Sequence, residues 1–191
     1  MHPAAWVAAL ALSVELPLYV GAPLPPAALE RALAEADRLF DAGGVRFLWR
    51  LPSEEPLVAG PAVVVILPRP ARPVISGCRR NLHDHRLGHT HLGARRVTLW
   101  TEQVARAVEG SWGGKEAPKV DEIALGTALG RVLAHELGHL FLRLNGHREV
   151  GLMKPSFSHR ALVGKSDRSF RLAEDDFELV RAAIGRHQAA K

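Results

Sequence analysis

A long helix near the middle of the chain is the sequence feature that most restricts the fold. It is predicted to begin after Asp121, a good N-cap residue, and to end near Leu144, before an Asn-Gly pair that favours a left-handed terminus. Leucines recur along one side of this helix, at Leu129, Leu133, Leu137, Leu140 and Leu144. We therefore expect a fold that buries the leucine side and turns His135 and His139 to a different surface.

A second periodic pattern runs along the same helix. Its members are small residues, namely Gly126, Gly130, Ala134 and Gly138. Small residues in a row allow a neighbouring element to approach the helix closely. We expect another element to pack against this ridge.

His135 and His139 are one helical turn apart, so their imidazoles lie one above the other and can hold one metal ion. Glu136 lies about 100° further around the helix, where it can reach a metal-bound water without being a ligand. Zinc lowers the pKa of such a water from about 16 to about 7. The motif therefore predicts a Zn²⁺ site that hydrolyses peptide bonds, with Glu136 as the general base.

A catalytic zinc site needs three protein ligands and one open position. His147, which follows the Asn145-Gly146 turn, is the predicted third ligand. Asn145 and Glu174 are the alternatives. A neutral amide oxygen is a poor zinc ligand, and Glu174 would require the last helix to fold back onto the site.

The stretch Leu133 to Pro155 resembles the metzincin group of zinc peptidases, whose pattern is H-E-x-x-H-x-x-G-x-x-H followed by a Met beneath the metal. In this chain the glycine position holds Leu142, the third-ligand position holds Asn145, and the candidate histidine His147 comes later. The stretch is also similar to small bacterial proteins with the pattern HELGHLLL…H…G-[IL]-M. The resemblance implies a metzincin-like zincin with a peptide or protein substrate, and with Met153 supporting the site.

The other segments mix strands and helices. Strands are predicted at residues 14–20, 45–51, 62–67 and 95–100, and further helices at 27–42, at 101–109 and from 174 onward. The apolar run 62–67 is continuous enough to be a central strand that is buried on both faces. We expect an α+β fold: a mixed twisted sheet with backing helices, the active-site helix and a small C-terminal subdomain.

The chain is interpreted as one domain over residues 1–191, with the sheet and active-site helix in 14–144 and the C-terminal subdomain in 145–191. Residues 1–13 contain an apolar run that is too short to span a membrane. Its length matches a signal-peptide core, although no Lys or Arg precedes it, and it favours export over the cytoplasmic alternative. No transmembrane segment is predicted.

Several other polar residues are candidate site residues. A loop predicted over residues 68–92 contains His83, His85, His89 and His91 beside Asp84. A solvated polar loop is the favoured interpretation, and a second ion site or a cleft wall is the alternative. His159 is a candidate for polarising the substrate carbonyl. The acidic run Glu174-Asp175-Asp176 is interpreted as charges that favour a helix N-terminus.

The charge and cysteine content limit the partners. There are 25 Lys and Arg against 20 Asp and Glu, but the charges are scattered and no nucleic-acid-binding motif occurs, so no nucleic-acid partner is expected. The single cysteine, Cys78, excludes an intrachain disulfide and a cysteine-based zinc site. Three rival functions stay open: a catalytically degenerate zinc-binding interaction module, a regulatory cytoplasmic metallopeptidase with one protein substrate and, last, a basic nucleic-acid binder.

Overall fold

The computed structural model describes residues 12–51, 63–67, 86–112, 116–166 and 168–189. Its strands are β1 Leu12–Val20, β2 Val45–Arg50, β3 Val63–Leu67, β4 Gly88–His91 and β5 Arg96–Trp100. Its helices are α1 Pro26–Asp41, α2 Thr101–Glu109, α3 Glu122–Leu142, α4 His159–Val163 and α5 Glu174–Ala189. This mixture confirms the predicted α+β class.

The strands form a five-stranded mixed sheet in the order β2-β1-β3-β5-β4. Neighbours among β2, β1, β3 and β5 run parallel, whereas β4 runs antiparallel to β5 at one edge. The central strand is β3, in which Val64, Val65 and Ile66 are fully buried. The prediction of a central strand from its continuous apolar run is confirmed.

Strand β4 is absent from the sequence prediction, which continued a loop as far as residue 92. Its residues Gly88, His89, Thr90 and His91 pair with β5, with Gly88 opposite Leu99 and Thr90 opposite Val97. The segment contains no apolar residue, so it lacks the alternation by which a strand is recognised. His89 and His91 are thus exposed strand residues, while His83 and His85 lie outside the described residues.

Helix α3 runs through the middle of the molecule. The leucine side is buried as expected, and burial extends to every residue from Gly126 to Gly138, including His135, which lines a cavity. The small residues allow helix α1 to pack closely against α3. A Cβ built on Gly130 would lie 2.5 Å from the carbonyl oxygen of Ala32 in α1. Gly126 meets α1 in the same way, at the carbonyl oxygen of Ala28.

Helix α1 buries a charged residue together with its apolar ones. Leu29 and Leu33 are only partly buried, whereas the fully buried positions include Ala28, Ala32 and the charged Glu35. Glu35 accepts a hydrogen bond from Arg131 of α3 at 2.9 Å, and both side chains are almost completely buried. The ion pair therefore replaces apolar packing at the point where the two helices cross.

The end of α3 also differs from the prediction. The helix ends at Leu142, and Arg143 adopts the left-handed conformation (φ 52°) and donates its backbone N–H to the carbonyl oxygen of His139. Gly146 is not among the residues with positive φ in the described chain, so the Asn145-Gly146 pair is not the helix terminator. The helix therefore ends two residues earlier than expected, and the chain leaves the helix axis at Arg143.

The C-terminal segment packs back onto α3. Arg131 of α3 donates to the carbonyl oxygens of Ala161 and Leu162 in α4, and α5 contacts α3 and β1. Helix α5 begins at Glu174, as its acidic run indicated. Among the described residues, no helix combines the length and the apolar character that crossing a bilayer requires.

Candidate metal centre

Three histidines meet at the C-terminal half of α3. His135 and His139 project from the helix, and His147 comes from the segment that follows it. One potential ligand atom from each lies within 4.8 Å of the others, and this is the one group of metal-ligating side chains of this kind in the described part of the chain. The alternative Glu174 is not part of it and instead accepts a hydrogen bond from Arg181 on its own helix. Asn145 lines the neighbouring cavity.

Backbone carbonyls determine how the first two imidazoles are oriented. Nδ1 of His135 lies 2.7 Å from the carbonyl oxygen of Leu152, and Nδ1 of His139 lies 2.8 Å from that of Leu144. A carbonyl oxygen only accepts, so each Nδ1 must carry the proton and donate it. Each Nε2 is then left with a free lone pair.

The two free lone pairs face each other. Nε2 of His135 and Nε2 of His139 are 3.1 Å apart. Two ligands of a tetrahedral zinc ion with bonds of 2.0–2.1 Å would have their nitrogens about 3.3–3.4 Å apart, which is close to this spacing. The donor set, the tautomers and the spacing therefore fit a bound metal ion.

Burial keeps these imidazoles neutral. It lowers the pKa of His135 to about 4, against the opposing effect of the hydrogen bond to Leu152. It also lowers the pKa of His139 below its usual value. Near neutral pH neither ring carries a second proton, so Nε2 of each ring is available to a cation.

Glu136 lies next to the histidines but outside the group that could hold the metal. Its side chain is 7% exposed and lines the cavity beside the histidines. Burial raises the pKa of this carboxyl to about 7, against the opposing effect of a hydrogen bond from Thr90. Thr90 Oγ1 lies 2.6 Å from Glu136 Oε2.

The segment after α3 carries His147 and is held at several points. The backbone N–H of Arg148 donates to the carbonyl oxygen of Met153 at 2.7 Å, and its guanidinium donates to Asp176 of α5, also at 2.7 Å. Leu152 donates its N–H to the carbonyl oxygen of Arg171. No local sequence pattern predicts the Arg148–Asp176 pair, because its partners are 28 residues apart.

Met153 lies directly against helix α3. It is 1% exposed, and a Cβ added to Gly138 would lie 2.3 Å from its Sδ atom. Gly138, between the two histidines of α3, therefore leaves the space that Met153 occupies. The side chain thus packs against α3 at the residue between His135 and His139.

A cavity of about 870 Å³ adjoins the three histidines and Glu136. Its apolar lining includes Ala107, Trp112, Val132, Phe157 and Leu162. Trp112 is 38% exposed. His159 lines the same cavity, and its role toward a substrate carbonyl stays a prediction.

Comparisons with known proteins identify solved structures that have a similar fold. No protein-family model matches the chain, and the search of curated proteins found no significant match. A solved zinc-dependent peptidase from Methanocorpusculum labreanum superposes with a TM-score of 0.53 and 13% sequence identity, over 88% of this chain and 99% of that one. Archaemetzincin from Methanopyrus kandleri superposes with a TM-score of 0.55 and 16% identity, over 91% of this chain and 97% of that one. At these identities the likeness establishes a shared fold.

Proposed function

We propose that this chain is a zinc-dependent metallopeptidase in which His135, His139 and His147 hold the metal and Glu136 is the general base. The observation that carries the proposal is the orientation of the two helical imidazoles. Their Nδ1 protons are donated to backbone carbonyls, so their unprotonated Nε2 atoms meet 3.1 Å apart. The group formed with His147, and the fold shared with solved zinc peptidases, support the same function.

The chemistry follows from the placement of Glu136. When bound, zinc acts as a Lewis acid and makes water acidic enough to be deprotonated near neutral pH. The carboxylate of Glu136 accepts the proton of the attacking water and can return it to the leaving amine.

The proposal extends to subfamily and substrate. Met153 packs beneath Gly138 at the level of the histidines, and this contact supports a metzincin-like arrangement despite the displaced third histidine. The cavity is large enough to receive several side chains of a bound peptide. We therefore propose that the substrate is a peptide or protein that is cleaved within its chain.

Metal analysis and one variant test this function together. The purified protein should contain one zinc ion per chain and cleave an unstructured protein such as casein. Glu136→Gln should retain the zinc and lose about 10²–10⁴-fold in kcat/KM. A wild-type protein with zinc and no hydrolysis would favour the interaction-module alternative, and a protein that binds no zinc would overturn the assignment.

A further inference from the structure

We infer that Thr90 is a positioning residue that holds the carboxylate of Glu136, and that Gly88 provides the space in which that carboxylate lies. The inference rests on the proposed function, because it concerns the base of the same reaction. It also gives a role to strand β4, whose histidine-rich sequence the metal centre does not explain. Neither His89 nor His91 belongs to the three-histidine group.

The contact between Thr90 and Glu136 is short and partly buried. Thr90 Oγ1 lies 2.6 Å from Oε2 and 2.8 Å from the backbone carbonyl oxygen of Glu136. A hydroxyl has one proton, so it donates to one of these oxygens at a time. The carboxylate is the stronger acceptor when it is ionised, and the hydrogen bond then fixes the position of Oε2.

Gly88 meets the same side chain two residues earlier. A Cβ built on Gly88 would lie 2.9 Å from Cγ and 3.0 Å from Oε1 of Glu136. Residues 88 and 90 point to the same side of β4 because side chains alternate along a strand. Two residues of this four-residue strand therefore face Glu136.

Pairing with β5 sets the register of this arrangement. Gly88 is opposite Leu99, and Thr90 is opposite Val97, whose side chain is fully buried. Because the pairing with β5 fixes the register of β4, it places the hydroxyl of Thr90 beside the side chain of Glu136. With Oε2 engaged by Thr90, Oε1 is the oxygen left to accept the proton from water.

Kinetics of the zinc-loaded protein provide the first test. Thr90→Val keeps the shape of the side chain and removes the donor, and we expect kcat to fall about 10–100-fold, as for other groups that orient a metal site. We expect zinc content to stay the same and KM to change by less than about two-fold, since Thr90 acts through the base. Thr90→Ser restores the hydroxyl and should recover most of kcat, and Thr98→Val on β5 is the matched control.

Gly88→Ala tests the second half of the inference. The added methyl group should displace the carboxylate and lower kcat by a similar factor, with zinc retained. It also leaves the hydroxyl of Thr90 in place. Because the Cβ would also lie 3.0 Å from Cδ2 of Leu99, thermal unfolding of the variant separates a loss of kcat caused by displacement of Glu136 from a general loss of stability. Full kcat in Gly88→Ala would overturn the role assigned to that residue.

A stability measurement tests the contact independently of catalysis. In the metal-free protein, Thr90→Val should lower the folding equilibrium constant about 10–100-fold, because it leaves a buried carboxylate without its donor. In a Glu136→Ala background the same change should cost less than about three-fold, so the two substitutions should be strongly coupled. Additive effects, or full kcat in Thr90→Val, would overturn the inference. If wild-type protein hydrolyses nothing while the coupling is present, the proposed function fails and the Thr90–Glu136 contact stands.

Discussion

His147 is the member of the histidine group that the structure leaves most exposed. We predict that His147→Ala weakens zinc binding nearly as much as His135→Ala or His139→Ala. The reason is that loss of any one imidazole leaves the ion with two protein ligands instead of three. Asn145→Ala and Glu174→Ala should bind zinc as the wild type does.

The measurement is competition for zinc between each variant and a chelator of known affinity. Retention of zinc by His147→Ala would contradict the assignment. Loss of zinc in Glu174→Ala would instead assign the third ligand to the last helix.

The contact between Gly138 and Met153 allows a second prediction at the scale of a single residue. Gly138→Ala should lower the free energy of unfolding by about 1–3 kcal/mol, because its Cβ would lie 2.3 Å from Met153 Sδ and force the side chain to move. Gly185 of α5 is a matched control, since nothing lies within 4 Å of a Cβ built there. Gly185→Ala should raise the free energy of unfolding by about 0.5–1 kcal/mol.

Denaturant titration of the metal-free proteins measures both effects. Equal stability of Gly138→Ala and the wild type would mean that Met153 can repack at no cost. In that case Met153 would not support the helix rigidly.

At the scale of elements, an ion pair joins the segment that carries His147 to helix α5. Asp176 is buried and accepts a hydrogen bond from Arg148, the residue directly after His147. We predict that Asp176→Asn weakens zinc binding about 10-fold, the lower end of what is typical when a group that orients a ligand is lost. Asp175→Asn, at an exposed position of the same helical turn, should leave the affinity unchanged.

Chelator competition again measures the affinity, and thermal unfolding of the metal-free variants separates a loss of ligand orientation from general destabilisation. Unaltered zinc affinity in Asp176→Asn would show that the segment is held well enough by its backbone hydrogen bonds. The Arg148–Asp176 pair would then serve stability alone.

The crossing of α1 and α3 leads to a prediction about pH. Burial by itself would raise the pKa of Glu35, but hydrogen bonds from Arg38 and Arg131 outweigh it and hold the pKa below its ordinary value of 4.5. A carboxyl with a lowered folded-state pKa contributes stability that is complete above the unfolded pKa and is lost as pH falls through the folded one. The wild type should therefore lose stability as pH falls below about 4.5.

Glu35→Gln removes the titrating group, so the free energy of unfolding should depend less on pH in that range. At neutral pH the variant should be about 3–5 kcal/mol less stable, because Arg131 is left as a buried unpaired charge. Denaturant titrations between pH 3 and pH 7 test this. Parallel pH profiles for the two proteins would show that Glu35 is not the group responsible.

The sequence predicts the elements that depend on local patterns. It does not predict those that depend on contacts between residues far apart in the chain. Strand β3 and helix α3 were predictable because their apolar residues and the Asp121 cap are local signals. Strand β4 exists because β5 provides a pairing edge, and the Glu35–Arg131 pair joins residues 96 apart. Thr90 could not be placed beside Glu136 without the register of that strand pair.

At the scale of the whole molecule, the candidate metal centre joins two parts of the chain. The helical imidazoles donate to the carbonyl oxygens of Leu152 and Leu144, which lie in the segment that also carries His147. A metal ion held by all three histidines would therefore link α3 to that segment. The motif in α3 supplies His135 and His139, and the segment after it supplies His147 and the carbonyl oxygens that orient the two helical imidazoles.

This arrangement predicts that the metal stabilises the protein without being needed for folding. A chain of this length can bury roughly 70% of its unfolded surface, and the core of apolar residues from the sheet and α3 does not depend on the histidines. Chelation should thus leave the helical circular dichroism signal intact at 25 °C. Zinc at about 1,000 times its Kd should add about 4 kcal/mol to the free energy of unfolding, because it binds the folded state alone.

Thermal unfolding with and without a chelator tests this prediction, and His147→Ala is the control. That variant should fold as the wild type does but should show little increase in unfolding temperature when zinc is added. Loss of the helical signal on chelation would mean that the ion is structural and that the apolar core alone does not hold α3 in place. An equal zinc effect in His147→Ala would mean that the stabilising ion binds elsewhere in the molecule.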